Sequence, residues 1–179
     1  MASQRPSAEH DGRLTDPKFR ETSFERAFAY DRLRSCFVEG WTAGEVVRFH
    51  SSEKLLLLSR DPQSYADLGR LVAAVKDYKC EEFAESYQRI FRAALAKKAS
   101  AGRQVNVLAH IAGYFSKKIS ARERAEIVAL IEDFRQGLVP LAVPLALLRH
   151  HVVRFNLDYI AGQSYLNPRP TELTLRSQV

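Results

Sequence analysis

The chain holds only two cysteines, Cys36 and Cys80, among its 179 residues. They form no C-x-x-C pair, so neither a disulfide framework nor a thiolate metal knuckle is available, and both read as core residues in a reducing compartment. No apolar run approaches the roughly 18 residues of a membrane span. The opening, MASQRPSAEHDGR, has no apolar core and is not expected to act as a secretory leader. A cytoplasmic location, away from membranes, is therefore expected. Apolar–polar alternation is missing outside a short stretch from Glu172 to Arg176, so strands are not expected. No unit of roughly 30 to 45 residues repeats, which argues against a solenoid. There is no H-x-x-x-H or E-x-x-H pair, and the adjacent His150 and His151 point about 100° apart on a helix, so no metal or other cofactor is expected. Nucleophile elbows and phosphate-cradling glycine loops are absent as well.

What remains is helical. Residues 1–20 are polar and aperiodic, with Pro6, Gly12 and Pro17, and read as a flexible tail or interdomain linker. Residues 21–179 read as one domain, a compact all-α bundle of seven or eight helices with an extended tail after Pro168 and Pro170. The first helix is expected over Thr22–Glu39, closed by Gly40. Thr42-Ala-Gly-Glu45 is a capping box, and its helix is expected to run to Ser59. Asp61-Pro62 breaks the chain and Ser64 caps the next helix. A helix over Glu81–Lys98 buries Phe83, Tyr87 and Ala94. Ser120-Ala-Arg-Glu123 is a second capping box, and its helix closes at Gly137. Pro140 suits the first turn of the following helix, and Pro144 kinks or delays its start. A last short helix is expected over Leu157–Tyr165.

Between Arg103 and Ile119 one helix carries two stripes. Val105, Leu108, Ala112, Phe115 and Ile119 make an apolar seam, and Asn106, His110, Gly113 and Lys117 make a polar ladder beside it. A glycine inside a helix costs about 1 kcal/mol against alanine. Gly113 is therefore expected where a neighbouring helix or a ligand comes close.

Charge is concentrated in the same place. Between Lys97 and Arg124 stand seven cations (Lys97, Lys98, Arg103, Lys117, Lys118, Arg122, Arg124) and one anion, Glu123. This segment carries the whole net charge of +6, and the rest of the chain is neutral. Such clustering is either a solvated basic face or the footprint of a polyanion binder. His50 and Lys54 form a second polar intrusion, on or beside a buried helix face. In such places a histidine is either satisfied within the core or available for contacts to phosphates and base edges. Tyr114 offers a stacking surface or a core ring with an exposed hydroxyl.

Four ordered segments carry a resemblance. Phe49-His50-Ser51…Lys54-Leu55 with Tyr65…Leu68-Gly69, then Asn106-Val107-Leu108…His110…Gly113-Tyr114-Phe115, then Pro140-Leu141…Pro144-Leu145 with His150, and finally Gln163-Ser164-Tyr165-Leu166…Pro168…Pro170…Leu173…Leu175-Arg176 resemble the motifs of the YbgA family of bacterial domains. The departures are Phe49, His151 and Ser177, where tyrosine, tyrosine and asparagine are more usual. That family also occurs fused behind a TudS-like thiouridine desulfidase domain, and Asp11 to Glu21 resembles the linker of such fusions. The resemblance implies an RNA partner, above all transfer RNA, and a TudS-like desulfidase domain in cis or in trans. A TudS-like centre needs three cysteines on an iron–sulfur cluster. With two cysteines on separate helices, this chain is not expected to be the enzyme.

The expectation is an RNA-binding accessory domain for thiouridine desulfidation with no catalytic centre of its own. Lys97, Lys98, Lys117, Lys118 and Arg122 would meet phosphates. His50, Lys54, Asn106, His110, Tyr114 and Arg176 would make directed contacts. The alternatives are a protein-interaction scaffold with a merely solvated basic face, and a small nucleotide-binding enzyme using His110 as a base.

Overall fold

The computed structural model of the chain describes residues 17–167. Among them nine α-helices follow one another with no strand: α1 Pro17–Cys36, α2 Ala43–Ser52, α3 Lys54–Arg60, α4 Pro62–Ala73, α5 Cys80–Ala96, α6 Ala101–Gly113, α7 Ala121–Arg135, α8 Ala142–Arg154 and α9 Asp158–Ala161. A 3-10 turn, Val75–Asp77, links α4 to α5. The all-α bundle is therefore what forms. The first 16 residues of the tail or linker, and the extended tail with Arg176, lie outside the described residues.

The hub is the shortest of the inner helices. α3 is seven residues long, yet it touches α2, α4, α5 and α6. Its residues Leu55, Leu56, Leu57, Ser59 and Arg60 are all buried. A helix that is apolar all round must sit inside a protein, and the run of four leucines meets that condition. Around it α5 presents a ladder of buried rings, Phe83, Tyr87 and Phe91, with successive centroids 6.0 and 6.2 Å apart.

The expected single helix from Ala43 to Ser59 is in fact two. It breaks at Glu53, whose backbone stands at φ −92° and ψ 0°. The Gln163 side chain donates through Nε2 to the Ser51 carbonyl (2.8 Å) and accepts the Leu55 amide on Oε1 (3.2 Å). The Ser164 amide donates to the Ser52 carbonyl at 3.0 Å. Backbone groups freed by the break are thus taken up by two residues more than 100 positions further on. Glu53 itself is fully buried. Its carboxylate accepts from Arg32 through Nε at 2.6 Å and Nη2 at 3.1 Å, and from the Ser164 hydroxyl at 2.8 Å.

Both capping boxes form as read, at Thr42/Glu45 and Ser120/Glu123. Several boundaries differ. α1 begins at Pro17, inside the stretch read as tail, because proline suits the first helical turn. It stops at Cys36, and Gly40 takes its left-handed φ of 80° in the turn beyond. Asp61, not Ser64, precedes α4; Ser64 lies inside the helix and its hydroxyl donates to the Asp61 carboxylate at 2.5 Å. Pro144 falls in the first turn of α8, so it delays the helix and does not kink it. α9 is confined to Asp158–Ala161. Cys80 is exposed and Cys36 half-buried, so neither is a fully buried core residue.

The largest correction concerns α6. It ends at Gly113, and residues 114–118 continue as turns closed by short backbone bonds, Tyr114 to Ile111 and Lys118 to Phe115. The Ser116 hydroxyl donates to the Gly113 carbonyl at 3.0 Å. Phe115 is still fully buried, so the apolar seam survives the change of backbone. Nothing among the described residues lies within 4 Å of a β-carbon placed on Gly113, so no described helix or side chain approaches there. The glycine at a polar contact is Gly69 on α4, where a β-carbon would stand 3.7 Å from His50 Nε2.

Candidate nucleic-acid interface

α2 and α4 pack together and bring His50 against Tyr65. Their rings are parallel within 4°, with centroids 5.1 Å apart. Only 8% of His50 is exposed. Its Nδ1 stands 3.1 Å from the Tyr87 hydroxyl, which belongs to the fully buried ring ladder of α5. Burial holds the Tyr87 phenol well above its ordinary range, so it stays protonated. Burial also lowers the His50 pKa, so the imidazole is neutral near pH 7.

From His50 an open face leads to α6. Burial raises the Tyr65 pKa, with smaller contributions from the hydroxyls of Tyr159 and Tyr114, which places all three tyrosines in one neighbourhood. Tyr114 and Tyr159 face each other at 6.1 Å and are 39% and 49% exposed. His110 meets Tyr114 edge-on at 5.4 Å. The His110 pKa is lowered by burial and then by the nearby Lys54 charge, since α3 packs on α6. His110, Tyr114 and Tyr159 thus follow one another in contact, Lys54 acts on His110, and His50 joins this neighbourhood through its stacking on Tyr65. Asn106 is exposed one helical turn before His110.

The basic segment sorts into engaged and open cations. Lys97 reaches the Asp61 carboxylate at 2.5 Å. Arg103 donates to the carbonyls of Arg60 (2.7 Å) and Lys98 (3.2 Å), and Arg124 to that of Ser116 (2.6 Å). Arg122 pairs with Glu126 at 3.2 Å, while its side chain stays 90% exposed. Lys118 lies over the Phe155 ring at 5.7 Å. Lys98 and Lys117 are exposed and make no ion pair among the described residues. Lys117 and Lys118 thus stand in the turn that follows α6, beside Tyr114, while Lys98 stands at the other end of that helix.

A second buried histidine lies apart from this face. His151 is sandwiched by Phe115 at 5.0 Å and Phe155 at 6.1 Å, and its buried Nδ1 has no partner among the described residues. Burial lowers its pKa, helped by His150. Burial likewise pushes the half-buried Cys36 thiol up to about 11, the opposite of an activated nucleophile. Among the described residues no three His, Cys, Asp or Glu side chains cluster as metal ligands. Two shallow clefts lie elsewhere. One, of about 300 Å³, includes Cys36, Glu45 and Arg48, and the other, of about 420 Å³, is lined by Ala27, Tyr30, Arg34 and Arg92.

Sequence reasoning missed Tyr65 and Tyr159 as members of the face. Tyr65 sits in step with the apolar seam of Leu68 and Val72 and reads as core. Tyr159 lies on a four-residue helix too short to show a period.

The fold and this face define an all-helical domain with no strand among its described residues. Residues 54–170 match the family described as protein of unknown function (DUF1722), and the chain belongs to that family. It is 29% identical over 160 residues to the uncharacterized protein YbgA of Escherichia coli (strain K12), covering 89% of this chain and 95% of that protein. No solved structure matches.

Proposed function

We propose that this domain binds single-stranded RNA, with transfer RNA as the natural class, and that bases stack on the Tyr114–Tyr159 face while Lys54, Lys98, Lys117, Lys118 and Arg122 meet phosphates. The observation that carries this reading is the pair of exposed tyrosines, 6.1 Å apart, beside His110 and an excess of cations. Exposed rings accept any base, because every base has a π-face, and flanking lysines track the backbone. The role is that of a holder, and a desulfidase domain of the TudS-like type is the partner that would use the held RNA.

The test is a gel shift of bulk transfer RNA with the full chain over a salt series. Affinity is expected to fall steeply as salt rises, because each phosphate contact releases counterions. Absence of binding at low salt, or binding indifferent to salt, would sink the proposal. A second reading, a scaffold for a protein partner, draws on the exposed Val128, Leu138, Val143 and Val153 of α7, α8 and the turn between them. Charge reversal at Lys117 and Lys118 separates the two. It should abolish RNA binding under the first reading and spare protein capture under the second.

A further inference from the structure

The tautomer of His50 follows from its surroundings. The Tyr87 hydroxyl is sealed among rings and keeps its proton, and among the described residues it makes no hydrogen bond other than the one to His50 Nδ1. A buried hydroxyl without an acceptor is costly, so Tyr87 donates and Nδ1 accepts. The ring proton of neutral His50 must then sit on Nε2. That nitrogen has no hydrogen-bond partner among the described residues, and it is not sealed from solvent as His151 Nδ1 is. A β-carbon at position 69 would lie in ordinary van der Waals contact with it at 3.7 Å, and a longer side chain would cover it; glycine leaves the approach open. His50, a buried residue with 8% of its surface exposed, is therefore oriented by a fixed acceptor bond and a parallel tyrosine, and offers one N–H without a partner among the described residues.

We propose that His50 Nε2–H reads the base held on the tyrosine face, selecting bases with a carbonyl oxygen on the edge away from the ribose. This rests on the RNA-binding reading above and sharpens it. The donor is recessed behind Gly69, so only the distal edge of a base reaches it. On that edge uracil and guanine carry an oxygen acceptor, whereas cytosine and adenine carry an amino donor that meets the imidazole N–H head-on. The 2-oxygen, shared by uracil and cytosine, lies beside the sugar and is kept away. Gly69 is thus a specificity position and Tyr65 and Tyr87 are positioning residues.

Fluorescence anisotropy of the full chain with labelled eight-nucleotide uridine and cytidine strands tests the proposal. The wild type should bind the uridine strand about tenfold more tightly. His50→Phe keeps a ring on Tyr65 without the donor, and Gly69→Leu keeps the donor but covers it with a good helix former. In both, the preference should shrink to within about twofold while the tyrosines and lysines retain cytidine binding. Because His50→Phe orphans the Tyr87 hydroxyl, Gly69→Leu decides if that variant does not fold. Equal binding of the two strands by the wild type, or a preference that survives in the folded variants, overturns the proposal and leaves RNA binding standing. Failure to bind either strand overturns both. Independently of RNA, ¹⁵N spectra of the free chain should show His50 protonated at Nε2 and bare at Nδ1; the opposite tautomer overturns the assignment.

Discussion

Glu53 and Lys54 are neighbours in the chain and belong to opposite kinds of region. Around Glu53 every donor has its acceptor: Arg32, Ser164 and the two arms of Gln163 close a polar knot whose carboxylate is fully buried. Around Lys54 the groups stay open, with the His50 Nε2–H unpartnered among the described residues and Tyr114 and Tyr159 partly exposed. Buried polar networks earn their place only when complete. The knot is complete and serves the fold. The open face is incomplete among the described residues, and the proposed RNA contact is what would complete it. The two regions should therefore answer differently to mutation.

Glu53→Ala attacks the knot where it is most sealed. It leaves the Arg32 guanidinium, 21% exposed, without its carboxylate and should cost about 3–5 kcal/mol in urea unfolding. A loss below about 1 kcal/mol would show that solvent already reaches this pair. Gln163→Ala should cost about 1–3 kcal/mol, since the Ser51 carbonyl and Leu55 amide both lose their partner. RNA affinity of the folded variant should be unchanged. Tyr159→Ala should do the reverse. Binding of single-stranded RNA should weaken by about 1–3 kcal/mol, with no measurable change in the unfolding midpoint. If Tyr159→Ala unfolds the domain instead, the distinction between the two regions fails.

Acid sharpens the same contrast. Burial lowers the pKa of His151, so the unfolded chain takes up its proton at a higher pH than the folded one. The stability this neutral ring contributes is therefore complete above the ordinary histidine value of about 6.5. It declines as pH falls through and below that value, by at most about 1.4 kcal/mol per pH unit. His151→Phe, which replaces a ring between two phenylalanines, should flatten the stability profile on that acid side. An unchanged slope would place the acid sensitivity elsewhere, with His50 the next residue to replace. The smallest effect is expected at Gly113, open on all sides at the helix end. Gly113→Ala should stabilise by about 0.4–1 kcal/mol without touching RNA affinity.

Local rules carried the reading of the fold far. A threonine and a serine three residues ahead of glutamates announced the starts of α2 and α7, because capping is chemistry between near neighbours. Periodicity found the buried faces of α4 and α5 for the same reason. It misjudged α6, because Phe115 remains in step with Leu108 whether the intervening backbone is helix or turn. The break at Glu53 was beyond any local rule, since the groups that stabilise it come from residues 163 and 164. Of the candidate face, His50, Lys54, His110 and Tyr114 were legible as polar or aromatic intrusions on helices. The aromatic bridge between the two histidines was not, because Tyr65 follows an apolar rhythm and Tyr159 follows none.

The knot also sets an order of events in the life of the chain. When Ser51 and Ser52 leave the ribosome, the residues that will bind their carbonyls have not been made. At about 5–20 residues per second, the separation of 112 positions between Ser51 and Gln163 amounts to roughly 5 to 20 seconds. Through that interval the break between α2 and α3 can be bonded only to water, and the leucine hub has no lock. The turn at Gln163 and Ser164 is thus the latch of helices made long before it, and a nascent chain cut short before Gln163 never closes.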